Sequence, residues 1–150
     1  EQTICPHLHV DNQDQIIIEL ATLIKEAGRI SNLEKFIEDV QKREAVEVTA
    51  LDNGIAIPHA CSDTVKQSSI CIGRKAQGVD FGAETGQPVK LIIMFASAES
   101  GNSHLALLAK FARMLVYEEF VEELMEAKDS FDILKAIERY ENIIDIENNT

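Results

Sequence analysis

Apolar positions along the chain change their period twice, and the changes divide it into three stretches. From Asp11 to about Arg43 they recur at helical spacing, with Ile17, Leu20, Ala21 and Ile24 as one stripe and Leu33, Phe36, Ile37 and Val40 as another. Asp11 or Asn12 is placed to cap the first helix and Gly28 to end it. Ser31-Asn-Leu-Glu34 has the form of a capping box, in which the serine oxygen and the glutamate each satisfy a free backbone N–H. The middle stretch has strand character. Val46-Glu-Val48-Thr-Ala50 alternates, Ile55-Ala-Ile57 and Ser69-Ile-Cys-Ile-Gly73 are short candidates, and Val89 to Ala96 is apolar enough to be central in a sheet. Gly78, Gly82 and Gly86-Gln-Pro88 mark turns between them. Helical spacing then returns in Leu105, Leu108, Phe111, Ala112 and Leu115, and again in Phe120, Val121, Leu124 and Met125. A last helix from Asp129 or Ser130 places Leu134 and Ile137 inward. Residues 1–10 read as an irregular lead-in or an edge strand, and Asn142 to Thr150 as a loosely held tail.

Helices, then strands, then helices predict an α/β fold in which one sheet is flanked by helices. No repeat or linker divides the 150 residues, so a single domain is expected over 1–150, with its core at about 11–141. The net charge of −12 disfavours nonspecific binding to nucleic acid or an anionic membrane, because such contacts depend on Lys and Arg. It is compatible with a basic protein partner. Three cysteines, Cys5, Cys61 and Cys71, fit no even disulfide framework and point to a reducing cytoplasm. Leu91 to Ala96 is the longest apolar run, far short of the roughly 20 residues that span a bilayer. No signal-peptide pattern is read.

The candidate chemistry lies in the histidines. His7 and His9 stand with Cys5 in C-P-H-L-H, but nothing nearby supplies the fourth ligand and spacing of a zinc site, so no metal is expected there. His59 follows Pro58 in G-I-A-I-P-H-A (54–60). Proline lacks an N–H and fixes its own φ, so it ends strand pairing and holds the next residue in a defined place. Small neighbours, Ala56 and Ala60, leave room for a second molecule to approach. Imidazole attacks phosphorus or carries protons near pH 7, yet a satisfied boundary histidine explains the local pattern equally well. His104 sits just inside a helix that Asn102 or Ser103 would cap, where free N–H groups favour an anion. No G-x-S-x-G elbow, P-loop or G-x-G-x-x-G occurs, so neither serine hydrolysis nor a nucleotide cofactor is expected. Any phosphate must arrive already activated on another molecule.

Four segments taken together, G-I-A-I-P-H-A (54–60), G-V-D-F-G-A (78–83), P-V-K-L-I-I-M-F-A (88–96) and H-L-A-L-L-A-K-F-A-R-M-L (104–115), resemble the enzyme IIA domain of the bacterial phosphoenolpyruvate-dependent sugar phosphotransferase system, in its fructose/mannitol/nitrogen-regulatory branch. The likeness runs from about residue 13 to 140. It implies a mixed, mostly parallel β-sheet with helices on both faces, and a phosphoryl relay that uses no cofactor. By that likeness His59 is the phosphorylated histidine, loaded by the phosphohistidine of HPr. It passes the phosphate to a IIB domain, and the membrane IIC protein delivers it to incoming sugar. His104 matches the second active-site histidine, which stabilises the phosphoryl group. Arg43, in R-E-A-V-E-V-T, and Thr49 match residues that contact phosphate oxygens. G-V-D-F-G-A leans towards the fructose-like transport branch. The alternative is a regulatory IIA module whose phosphorylation state controls a protein partner.

The chain departs from the family pattern at two adjacent positions. Ala60 replaces a common glycine, and Cys61 stands where a basic or polar residue is usual. Cys61 has three readings: a packed small residue, a redox-sensitive thiol beside the nucleophile, or a metal ligand with His59.

Overall fold

The computed structural model describes residues 3–51, 53–83, 86–98 and 103–148, with the side chains at 103–105, 107 and 148 outside it. The chain enters through β1 (Ile4–Cys5), forms α1 (Gln13–Glu26) and α2 (Leu33–Val46), and then lays down β2 (Ile55–Ala56), β3 (His59–Ser62), β4 (Ser69–Val79) and β5 (Val89–Ala98). Three helices close it: α3 (Ser103–Met114), α4 (Glu118–Glu126) and α5 (Ser130–Asn148). Sheet order is β1-β4-β5-β2, with β3 also paired to β5. β1 runs parallel to β4, β2 and β3 run parallel to β5, and β4 against β5 is the antiparallel pair. The sheet is therefore mixed and mostly parallel by pairing, as expected.

Alternation along β5 feeds two cores. Ile92, Met94 and Ala96 pack with α1 and α2 residues such as Leu20 and Phe36. Leu91, Ile93 and Phe95 face the other way, onto α3, α4 and α5. A run of rings from Phe95 through Phe111 and Phe120 to Tyr140 ties that second layer together, with neighbouring centroids 5.9, 6.0 and 4.9 Å apart. Edge-to-face and tilted ring contacts of this kind add to simple burial. Helices therefore cover both faces.

Several local expectations shift. Asn12 caps α1, its side chain accepting from the Gln15 N–H. At α2 the cap is Asn32, which accepts from Lys35 N–H, while the Ser31 hydroxyl donates to Thr64 O, so the capping box does not form. The alternating stretch 46–50 is not a sheet strand: α2 continues to Val46, and Ala50 makes an isolated antiparallel bridge to Ala56. Alternation there places Val46 and Val48 in solvent rather than on a sheet face. In α3, Phe111 and Met114 are buried and Ala112 is exposed. In α5 the inward set is Ile133, Ala136, Tyr140 and Ile144, one position from that expected, and Leu134 and Ile137 are half-buried at its flank. The expected tail is instead helical to Asn148, because Ile144 still reaches the core.

Two glycines separate backbone strain from crowding. Gly78 and Gly86 both adopt positive φ, 79° and 72°, but a Cβ on Gly78 would lie 2.7 Å from Pro88 Cβ and one on Gly86 would meet nothing within 4 Å. Left-handed backbone alone costs a non-glycine residue about 1–2 kcal/mol. Gly86→Ala should lower stability by about 1 kcal/mol and Gly78→Ala by about 2–4 kcal/mol, the excess being overpacking. Urea denaturation of the two variants measures the difference, and equal losses would refute the crowding.

Candidate active site

The edge of the sheet beside β5 carries the candidate site. β2 pairs Ile55 with Leu91 and Ala56 with Ile92, and β3 pairs His59 with Phe95 and Ala60 with Ala96, so the register offset is the same on both sides of Pro58. Pro58 thus interrupts one edge strand without shifting it, and its carbonyl still accepts from Phe95 N–H at 3.0 Å. The sequence suggested that strand pairing ends before His59; in the structure His59 opens the resumed strand. Ala56 and Ala60 point the other way and are buried among residues of α1 and α2. Their small size lets α2 approach the sheet rather than leaving room for a second molecule.

His59 is half-buried, and its Nδ1 lies 2.9 Å from Ile57 O. A carbonyl oxygen only accepts, so Nδ1 carries the proton of that bond. In the neutral ring the lone pair is then on Nε2. The backbone contact fixes both the ring's orientation and its nucleophilic nitrogen.

A cleft of about 440 Å³ opens beside the ring, lined by Lys35, Asp39, Lys42, Arg43, His59, Ala60 and Cys61. Spacings of three and four bring Lys35, Asp39, Lys42 and Arg43 to one side of α2, while Phe36 and Val40 are buried. Lys35 reaches Asp39 at 3.1 Å, and Lys42 pairs with Glu38 at 3.1 Å. Arg43 Nη1 donates to Glu47 O at 3.1 Å, and among the described residues no carboxylate pairs with it. Three cations and one carboxylate therefore border the cleft of a strongly acidic chain, a local field that favours an anion.

Asp39 holds the cleft's two walls together. It accepts from the buried Ser62 hydroxyl at 2.7 Å, joining α2 to the end of β3. Burial pushes the Asp39 carboxyl up, but the hydrogen bonds from Ser62 and Lys35, with the charges of Lys35 and Lys42, outweigh it and hold the group below its ordinary value.

Comparison with known proteins identifies the fold and its family. The family described as "Phosphoenolpyruvate-dependent sugar phosphotransferase system, EIIA 2" matches residues 1–140. The chain belongs to that family. A Haloferax volcanii protein named PTS system fructose-specific EIIA component is 34% identical over 110 residues, covering 73% of this chain and 71% of the relative. The Bacillus subtilis PTS system fructose-specific EIIABC component is 31% identical over 142 residues, 94% of this chain, which spans only 22% of that relative's length. Among solved structures, nitrogen regulatory protein IIA-Ntr from Neisseria meningitidis superposes with a TM-score of 0.81 at 26% identity, covering 90% of this chain and 92% of its own.

The residues that the family resemblance singled out do not all meet. His59 and Arg43 line one cleft. Thr49 lies outside it: its buried hydroxyl donates to the Glu44 carboxylate, and its backbone N–H reaches the same group at 3.4 Å. The Thr49 carbonyl accepts from Ile57 N–H at 3.3 Å, so Thr49 steadies the backbone leading to His59 instead of presenting a hydroxyl to the cleft. Consecutive residues of α2 thus diverge, Arg43 towards the cleft and Glu44 towards Thr49. The side chain of His104 lies outside the described residues; its backbone is in the first turn of α3. Cys61 is exposed on the cleft wall, its Sγ 3.8 Å from Ala98 O, which overturns the reading of it as a packed residue. Cys5 donates to His7 O, and His9 pairs with Glu19 at 3.1 Å. Lys35, Asp39 and Lys42 were not singled out from the sequence; their helical spacing from Arg43 was the available signal.

The Asp39 tie sets an acid limit. Its folded carboxyl holds a proton more weakly than the unfolded one, so its stabilisation is complete above the unfolded value of about 3.9 and is lost as pH falls through that value towards the folded one. Asp39→Asn should therefore be less stable than the parent at neutral pH, with the gap closing below about pH 4. Urea denaturation at both pH values tests this, and a gap independent of pH would refute it.

Proposed function

We propose that this chain is a phosphoryl carrier in which His59 Nε2 takes a phosphoryl group from the phosphohistidine of HPr and passes it to a IIB partner of a sugar uptake system. The observation that carries the reading is the Nδ1–H bond to Ile57 O, which leaves Nε2 as the nucleophile at the rim of a cationic cleft. In the forward step a bond forms between Nε2 and phosphorus as the donor's N–P bond breaks, and the donor ring recovers its lone pair. The His59 proton stays on Nδ1, so no general base is needed. Such transfers run through a loose transition state that needs alignment and stabilisation of the equatorial oxygens more than covalent assistance. Arg43 supplies a guanidinium, well shaped for phosphate oxygens, and His104 is the second stabilising residue of the proposal.

Docking of successive protein partners is supported by the segment that follows α2. Val46, Val48 and Leu51 are exposed apolar side chains in the segment after Arg43, a pattern that suits a protein interface. The acidic chain around them would steer a basic donor face at low salt. The name of the Bacillus relative joins an A unit to B and C units, in keeping with a IIB acceptor and a IIC permease, and both relatives above are named as fructose-specific. Among the described residues no helix is long and apolar enough to cross a membrane. The work proposed for this chain is phosphoryl transfer in the cytoplasm, with the sugar recognised by other components. The likeness to nitrogen regulatory protein IIA-Ntr supports a second reading, in which phosphorylation of the same histidine controls a protein partner.

Incubation with phosphoenolpyruvate, enzyme I and HPr should label the parent at Nε2 of His59, seen as an Nε2-phosphohistidine by NMR. His59→Ala should take no label, and Arg43→Ala should load at least tenfold more slowly, as for loss of one transition-state contact. Label at another residue, or on Nδ1, would reject the assignment. Onward transfer to a IIB protein distinguishes the uptake reading from the regulatory one.

A further inference from the structure

A second cavity, of about 560 Å³, opens at the other end of the same sheet edge, where Gly54 stands five residues before His59. At about 3.3 Å per strand residue Gly54 and His59 are roughly 16 Å apart along that edge. Among the described residues its lining holds two cations, Arg74 and Lys90, and no carboxylate. That is unexpected for a chain with 26 acidic and 14 basic residues.

The backbone is shaped to bring those two cations together. Arg74 faces Leu91 across the β4–β5 pair, on the side of the second core. A regular β5 would turn Lys90 to the opposite face. However, the N–H groups of Lys90 and Leu91 both donate to Gly54 O, at 2.9 and 3.2 Å, and Val89 joins the first core while Leu91 joins the second. Residues two apart on one strand reach opposite cores only where the strand is bulged, and bulges characteristically re-aim a side chain. The bulge turns Lys90 into the cavity that Arg74 lines.

Arg74 is only 7% exposed, yet its partners are neutral. Nε donates to Pro6 O at 3.1 Å, and Nη1 to Leu124 O and Met125 O at 3.0 and 3.1 Å. Those last two carbonyls belong to the end of α4, whose dipole offsets part of the charge. Among the described residues Nη2 makes no hydrogen bond, and neither Arg74 nor Lys90 forms an ion pair. A buried guanidinium stays charged, so it holds an unmet demand for an anion.

We propose that this cleft binds a small organic phosphate, with the phosphate dianion between Arg74 Nη2 and Lys90 Nζ. A guanidinium edge and an ammonium together match two negative charges, whereas a carboxylate would neutralise only one. Asn53, with an amide group able to donate and accept, lines the space for a hydroxylated body. The volume is within the range of small-molecule sites. The inference does not depend on the phosphoryl-carrier reading, since none of these residues borders the His59 cleft.

Glycerol 3-phosphate is the probe, titrated into the 15N-labelled full chain and followed by amide chemical shifts. Glycerol and sodium chloride at matched ionic strength serve as controls. Saturable shifts at Asn53, Gly54, Ala76, Gln87 and Lys90 are expected, absent with either control. Lys90→Gln should weaken binding about tenfold, the effect of losing one charge-assisted contact, and Ala76→Glu, an exposed wall position, should abolish it. Both substitutions are at exposed positions, and an otherwise unchanged spectrum confirms the fold. The proposal is overturned if the shifts do not saturate in the millimolar range, if chloride reproduces them, if they fall only around His59 and Cys61, or if both variants bind like the parent.

Discussion

β5 is the strand on which the other layers depend, because it is buried on both faces. Leu91 to Ala96 are all nearly inaccessible, so their backbone N–H and C=O groups have no water to turn to. Strands must therefore flank β5 on both sides, β4 on one and β2 with β3 on the other. Side chains of β5 alternate between the two cores, and that alternation fixes which helices lie on which face. Pro58 faces β5 and keeps one of its two ladder bonds, its carbonyl accepting from Phe95 N–H, so its missing N–H costs a single bond at the break between β2 and β3. The edge that β2 and β3 form lets His59 keep the register of the sheet and still reach solvent. Position and accessibility of the imidazole thus have one cause.

Polar ties then set how far α2 stands from that edge. Ala56 and Ala60 permit close approach, and the Ser62–Asp39 hydrogen bond holds the helix there. Because Asp39 also engages Lys35, the cation that would otherwise sit over the cleft is partly held to its own helix, and Arg43 keeps no carboxylate partner among the described residues. The buried Glu44–Thr49 pair anchors the turn from α2 back to β2 on the opposite side. One helix therefore supplies the cleft's charge through Lys35, Lys42 and Arg43 and, through Glu44, the support of the backbone before His59.

The sequence made the layers legible because burial is periodic. The α1 stripe and the apolar run of β5 stand where their spacing put them, since both are dictated by a single buried face or pair of faces. Boundaries were less legible where two local signals compete. Ser31 and Asn32 both have capping chemistry, and the choice fell to Asn32 because Ser31 is drawn to Thr64 O across the fold. Residues 46–50 alternate like a strand, yet α2 runs on to Val46 and only the end of the stretch, at Ala50, bridges β2, so the two valines stand in solvent. The last helix outran its expected end because Ile144 finds a core that only tertiary contact reveals.

At the site, residue type was more legible than role. Proline followed by histidine announced a constrained imidazole, but which ring nitrogen is bare follows from Ile57 O, a backbone atom to which no residue identity points. Arg43 and Thr49 were drawn from the same short motif, and the structure separates them because α2 ends between them and turns the chain. Lys90 shows the same limit elsewhere. Its place in an apolar strand reads as one exposed residue beside a buried run, and only the doubled hydrogen bonding to Gly54 O reveals that it faces the same cavity as Arg74. In both places the decisive information is carried by main-chain carbonyls, which fix side-chain direction without leaving a mark in the pattern of apolar and polar residues.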